Sequence, residues 1–283
     1  MKRREFIVGI GGSAIAWPIA ARAQQSERMR RIGVLMGFAE SDPEGQRYIK
    51  AFLQGLQDLG WAPGRNVQIE YRWGGSDPGR IQTYATELVG LKPDVILGQS
   101  ALTLVPLQQA THTIPIVFMQ VIDPVESGFV ASMARPTGNL TGFAPFEASV
   151  TTKWLEMLKE ISPSVIQVAV ILNPDQAPNV VMLRAIEAAA VSLGMRLTVA
   201  GVHDAADIER AINARMRESN DGLIVLPNPI ANNHRELIVT LAAKHRLPAV
   251  YPFRYFVAVG GLMSYGADIA ANIGRRLHIL IAF

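Results

Sequence analysis

The sequence predicts an α/β protein built from two Rossmann-like lobes, each with a parallel sheet. Three observations support this fold class. Short apolar runs without polar alternation, such as residues 32–37 and 95–97, are typical of strands that are buried on both faces. Segments with apolar residues at helical spacing separate these runs. The alternation of strand and helix then begins a second time, which indicates two units of similar size.

The first set of elements predicts a lobe 1 that covers residues 30–143. Its predicted strands are residues 32–37, 67–73, 95–97, 116–119 and 140–143. The predicted helices between them are residues 49–59, 78–91 and 100–111. Gly60 follows the first helix directly and is the residue type that most often ends one.

The second set predicts a lobe 2 that covers residues 144–262, with the boundary near Thr141 to Ala148. Its predicted strands are residues 168–172, 197–202, 222–226 and 249–251. Its predicted helices are residues 150–161, 180–193, 205–217 and 232–245. Residues 263–283 are predicted to cross back and to form a helix from Asp268 toward lobe 1.

Two such lobes joined by short crossings form a cleft. In doubly wound sheets ligands bind beyond the carboxyl ends of the strands. Two sheets that face each other place two such edges across one cleft, and this geometry suits closure around a small ligand. The site is therefore expected between the lobes.

The composition is that of a globular chain, with 49% apolar and 18% charged residues. Much of the net charge of +3 lies before the first strand, and the rest of the chain is close to neutral. Its charge therefore does not indicate nucleic acid as a partner. There is no cysteine, which excludes disulfides and thiolate catalysis.

Residues 1–23 are predicted to be a signal peptide. Lys2-Arg3-Arg4 forms a basic start, a mildly apolar stretch follows, and Ala21-Arg22-Ala23 has the form of a cleavage site. The segment Arg3-Arg4-Glu5-Phe6-Ile7 resembles a twin-arginine export signal and fits an ordinary secretory signal equally well, and an uncleaved anchor is a third alternative. The expected location is the periplasm.

Seven segments along the chain carry a resemblance to a known family. They are AESDP at 39–43, TIPIVF at 113–118, DPV at 123–125, ARPTGNLTG at 134–142, GLIVLP at 222–227, HRLPA at 245–249 and GGLMSYG at 260–266. In this order they resemble the ABC transporter substrate-binding proteins of the tryptophan/tyrosine type. The resemblance implies a periplasmic-binding-protein fold of type I, a small amino-acid-like ligand and an ABC permease in the inner membrane as partner.

The resemblance also implies a longer C-terminal part than this sequence contains. Members of that family continue past the last helix with a further strand and a polar segment, whereas this sequence ends in an apolar tail at Phe283. We therefore expect the return toward lobe 1 to be incomplete. A monomer is expected.

In lobe 1, four polar residues follow predicted strands and are candidates for ligand contact. Ser100 precedes a helix whose free N–H groups suit a carboxylate, and it can equally cap that helix. Asp123 can pair with a ligand ammonium, or it can cap a helix that has Pro124 at its first position. Ser41 and Asp42 either reach the cleft or form a solvated turn.

In lobe 2 the candidates are Asn173 and Asn228, and in the return segment they are Tyr265 and Asp268. The two amides end strands and can both donate to and accept from a zwitterion, although turn formation beside proline is the alternative for each. Tyr265 can stack on a flat ligand. Asp268 can bind an amine, and its alternative role is the N-cap of the last helix.

The sequence offers no motif for catalysis or metal binding. It contains no HExxH, no GxSxG after a strand, and no GxGxxG or P-loop in the right context. We therefore expect neither catalytic residues nor a metal or other cofactor. A ligand-sensing module that acts with a membrane receptor is the alternative function, and an exported enzyme is a third.

Overall fold

The structure, a computed structural model, describes residues 29–136, 138–145, 147–214 and 221–278. The predicted signal peptide, residues 1–23, lies outside these ranges. So do residues 279–283 of the predicted return segment and residues 215–217 of one predicted helix.

Lobe 1 is a five-stranded parallel sheet covered by helices. Its strands are β1 (Arg30–Met36), β2 (Val67–Trp73), β3 (Val95–Gln99), β4 (Ile116–Met119) and β5 (Leu140–Phe143). Its helices are α1 (Pro43–Asp58), α2 (Pro78–Gly90) and α3 (Ser100–Ala110). The strand order is β2-β1-β3-β4-β5, and every neighbouring pair is parallel.

Lobe 2 repeats this plan. It contains α4 (Val150–Ile161), β6 (Gln167–Leu172), α5 (Ala177–Ser192), β7 (Arg196–Gly201), α6 (Ala205–Asn213), β8 (Asp221–Val225), α7 (Pro229–Asn233), α8 (Arg235–Lys244), β9 (Ala249–Tyr251), α9 (Arg254–Ala258) and β10 (Met263–Ser264). The order β7-β6-β8-β9-β10 is also entirely parallel and matches that of lobe 1. The predicted class of two parallel α/β lobes is confirmed.

Three details differ from the sequence-based expectation. The predicted helix 232–245 is two helices, because the chain turns at His234, whose φ of −104° and ψ of 25° are not helical. Helix α9 was not predicted, since its aromatic and branched residues favour a strand. Strand β10, which the sequence assigned to the return crossing, pairs with β9 and forms an edge of the second sheet.

The apolar runs are buried as their pattern predicts. One core lies between the lobe 1 sheet and helices α2 and α3, and another lies between the lobe 2 sheet and helices α4 and α5. The opposite faces of both sheets belong to a single cluster that extends across both lobes. Among the described residues, no helix combines the length and apolarity needed to cross a membrane.

After β10 the chain returns to lobe 1 as α10 (Ile269–Arg276), which packs against α1. The two helices approach closely at a pair of glycines. A Cβ atom on Gly55 would lie 3.3 Å from the Cα and carbonyl oxygen of Gly274. Small residues at this contact therefore permit α10 to dock on lobe 1.

Replacing Gly55 by leucine should lower the free energy of unfolding by about 1–3 kcal/mol, because the side chain must displace the backbone of α10. Gly90 is the matched control, since it is also in a helix and a Cβ there would meet nothing within 4 Å. Urea denaturation of Gly55→Leu and Gly90→Leu measures the difference. Equal stabilities would contradict this account of helix docking.

Candidate ligand-binding cleft

A polar cavity lies between the lobes at the carboxyl ends of their strands. Its volume is about 20 Å³, which accommodates little more than one water molecule. The polar side chains around it come from both lobes and are all amides or hydroxyls: Gln99, Ser100, Gln120, Gln176, Asn228 and Asn232. Such groups bind through directed hydrogen bonds rather than through charge.

Ser100 points an unpartnered hydroxyl at this cavity. It is the first residue of α3, it is 8% exposed, and its Oγ has no hydrogen-bond partner among the described residues. Its φ of 73° lies in the left-handed region, which is strained for serine. Gln99, not Ser100, occupies the N-cap position of α3. The serine is thus not the helix cap that the sequence offered as its alternative role.

Gln99 holds the strand ends beside Ser100 in place. Its Oε1 accepts a hydrogen bond from the Gly37 N–H at 2.8 Å, and its Nε2 donates to Gln120 Oε1 at 2.6 Å. These bonds connect the carboxyl ends of β1, β3 and β4. Glycine at position 37 leaves room for this arrangement, because a Cβ there would lie 2.9 Å from Gln99 Oε1 and 3.3 Å from Ser100 Oγ and would displace the Gln99 amide.

Lobe 2 contributes two asparagines from the α7 region. Asn228 caps α7, with its Oδ1 accepting from the Ala231 N–H at 2.8 Å and its Nδ2 donating to the Leu226 carbonyl at 3.0 Å. Asn232 is 5% exposed, and its Oδ1 has no hydrogen-bond partner among the described residues. An acceptor from lobe 2 therefore borders the same cavity as the donor Ser100 from lobe 1.

Tyr255 is a buried neighbour of this cavity. Burial raises the pKa of its phenol well above the ordinary value, and Tyr48 and Glu44 raise it further. The positive charge of Arg235 acts in the opposite direction on that pKa. The phenol consequently stays protonated at neutral pH.

A second, more apolar cavity of about 310 Å³ adjoins the polar one. The two share Ala101, Gln176 and Pro178 as lining residues, so they lie side by side. Lobe 1 lines the outer cavity with apolar side chains, among them Val105, which is 43% exposed, and Phe129. The cleft thus has a polar inner end and an apolar outer end.

The structure brings two of the eight predicted residues, Ser100 and Asn228, to the polar cavity. Asp42 lies near it but is already engaged, since it caps α1 through the Glu44 N–H and accepts from Arg235 Nη1 at 2.7 Å. Ser41 is exposed in the loop before this cap.

The other four do not line the polar cavity, and three of them have structural partners. Asp123 accepts from the N–H groups of Glu126 and Ala148 at 3.4 and 3.3 Å, in a turn rather than at the start of a helix. Asn173 accepts from the Asp175 N–H at 3.0 Å. The Tyr265 side chain is 46% exposed. Asp268 caps α10. Their ligand contacts stay predictions.

Sequence reasoning missed Gln99, Gln120, Asn232 and Arg235. The first two directly follow buried apolar runs, and that position at a strand's carboxyl end was a usable signal. Asn232 and Arg235 lie within a segment of helical spacing. Only the packing of the two lobes brings them to the cleft. Asn179 was also missed; it is fully buried and donates to the Pro227 carbonyl at 2.8 Å.

The fold and the cleft define a two-lobed ligand-binding protein. The chain belongs to the ABC transporter substrate binding protein family, which it matches over residues 36–277. That family binds substrates and is not one of enzymes, which confirms the expectation drawn from the missing catalytic motifs.

Individual relatives agree with this assignment. A tyrosine-binding protein of Clostridioides difficile is 25% identical over 249 residues, which cover 86% of this chain and 69% of that protein. The structure of a conserved domain protein from Vibrio cholerae has a TM-score of 0.83 at 27% identity, covering 90% of this chain and 84% of that one. An ABC domain from Streptococcus pneumonia in complex with L-Trp shares the fold, with a TM-score of 0.81, 20% identity and coverage of 89% and 83%.

Replacing Ser100 by glycine should raise the free energy of unfolding of the ligand-free protein by about 1 kcal/mol. Glycine removes the left-handed strain and the unpartnered hydroxyl, and its greater unfolded-state entropy offsets only part of that gain. Lys92→Gly, at a φ of 51° outside the cleft, is the control for strain relief alone. A destabilised Ser100→Gly protein in thermal or urea denaturation would contradict the assignment of strain.

Proposed function

We propose that this protein is an extracytoplasmic binding protein that delivers a small, amino-acid-like solute to an ABC permease. One observation supports it above the others. Two buried polar atoms from opposite lobes, Ser100 Oγ and Asn232 Oδ1, border one cavity and have no partner among the described residues. Since buried polar groups are normally hydrogen-bonded, a ligand is the natural partner for both.

The arrangement suits the polar end of an amino acid. The start of α3 presents N–H groups and a partial positive charge beside the Ser100 hydroxyl, which together favour a carboxylate. Asn232 Oδ1 can accept only, so it suits an ammonium or another N–H donor. The carboxylate is therefore assigned to lobe 1 and the amino group to lobe 2.

The outer cavity suits the side chain of the same ligand. Its apolar walls and its volume of about 310 Å³ favour an aliphatic or aromatic group. The ligands named for two relatives, tyrosine and L-Trp, are of this kind. Binding would require the lobes to separate and close again, because the polar cavity is too narrow for entry in the present arrangement.

Delivery follows from closure in this proposal. A monomer in the periplasm would close on its solute, and the permease would recognise the closed pair of lobes. Export through residues 1–23, by the twin-arginine or the secretory route, belongs to the same proposal.

Ser100→Ala and Asn232→Ala should each weaken binding of the tightest ligand among L-tryptophan, L-tyrosine and L-leucine by at least about tenfold. A lost hydrogen bond to a charged group costs about 1.5–3 kcal/mol, and 1.4 kcal/mol is a factor of ten. Isothermal titration calorimetry gives the Kd values. Asn173→Ala is the matched control, because its side chain serves a turn. Failure of all three probes to bind the wild type would reject the amino-acid ligand.

Val105→Trp should fill part of the outer cavity. For an aromatic probe we expect Kd to rise at least about fivefold, since overpacking costs about 1–3 kcal/mol, and for L-alanine we expect a smaller change. Val191→Trp is the control, because Val191 is 81% exposed and is not among the residues that line this cavity. The same loss for both probes would place the ligand side chain elsewhere.

A further inference from the structure

A buried ion pair joins the two lobes beside the cleft. Arg235 Nη1, at the start of α8 in lobe 2, donates to Asp42 Oδ2, before α1 in lobe 1, at 2.7 Å. The side chains of Arg235 and Asp42 are only 10% and 9% exposed, respectively. A further bond runs in parallel, from Asn233 Nδ2 to the Gly75 carbonyl at 3.3 Å. Both bonds require the lobes to be together.

Arg235 is also connected to the ligand side of the interface. The same Nη1 donates to the Asn232 carbonyl at 2.9 Å, and Asn232 borders the polar cavity. The guanidinium lies 5.7 Å from the centre of the Tyr255 ring, at a distance typical of cation–π contact. One side chain therefore touches the opposite lobe, the backbone of a cavity residue and a buried aromatic ring.

Opening the lobes would change the surroundings of both charges. In the closed arrangement each charge has lost most of its water, and the opposite charge is the main compensation for that loss, beside the Asn232 carbonyl for Arg235 and the Glu44 N–H for Asp42. In an open arrangement both charges would regain water. Removing one partner consequently penalises the closed arrangement alone, because only there is the remaining charge buried.

We propose that Arg235 is a positioning residue that couples ligand contact at Asn232 to lobe closure through Asp42. The inference rests on the proposed binding function. It adds a residue that determines what fraction of the ligand-free molecules is closed. Its predicted signature is a change in the open–closed equilibrium that exists without any ligand. A contact residue such as Ser100 would instead change affinity without changing that equilibrium.

The chain offers a second ion pair as a control, although it is more exposed, at 42% for Arg47 and 34% for Asp268. Asp268 also caps a helix and also accepts from an arginine, Arg47 Nη2, at 2.6 Å, but α10 and α1 both pack on lobe 1. Asparagine is a good N-cap, so Asp42→Asn and Asp268→Asn each keep the cap and remove the charge. Only Asp42→Asn removes an ion pair between the lobes.

The test measures the distance between the lobes in the absence of ligand. The chain has no cysteine, so Gln57→Cys in α1 and Glu209→Cys in α6 accept one spin label each. Double electron–electron resonance measures the distance between the two labels. Asp42→Asn and Arg235→Gln should each lower the ratio of closed to open molecules at least about tenfold. Arg235→Lys should restore part of it, and Asp268→Asn should leave it unchanged.

Titration with L-tryptophan as probe then separates the two proposals. If it binds, Asp42→Asn should raise Kd by the factor that the distances give, whereas Ser100→Ala should raise Kd with an unchanged distance distribution. If it does not bind, the distances still decide the role of Arg235. An unchanged distribution in Asp42→Asn, or an equal change in Asp268→Asn, would overturn the inference.

Discussion

The side chain of Gln99 is the constraint on which the cleft depends. It ties the Gly37 N–H of β1 to the amide of Gln120 after β4, and it is itself 3% exposed. Three strand ends are thereby fixed relative to one another, and the next residue, Ser100, has a φ of 73° and borders the same cavity.

Unpartnered polar atoms gather at this one edge of the molecule. Ser100 and Gln120 both follow strands, both have positive φ, and both have a buried atom without a hydrogen bond of normal geometry. Each such feature lowers the stability of the ligand-free protein. The unpartnered atoms of Ser100, Gln120 and Asn232 all border a single cavity, which is the pattern expected of a binding site rather than of a packing defect.

The sequence predicted the sheets well and the site in part. Strands at 67–73, 116–119 and 249–251 matched the structure, because burial on both sides leaves a pattern that depends on each segment alone. Ser100 and Asn228 were found by their position after a strand. Arg235 was not, because its partner Asp42 is 193 residues away and nothing local marks the pair. The residues that take part in lobe closure are determined by how the two lobes pack together. The hydrophobic periodicity of the sequence carries no information on that packing.

The chemistry between the lobes explains why closure can be reversible. A purely apolar interface would close without ligand and stay closed, since burial of apolar area is favourable in itself. Around the cleft, an ion pair and amides meet beside the apolar cluster that the two lobes share, and the desolvation of the buried charges offsets much of their attraction. In the proposed binding cycle this offset weakens the preference for the closed arrangement, so a ligand that satisfies Ser100 and Asn232 can shift the balance.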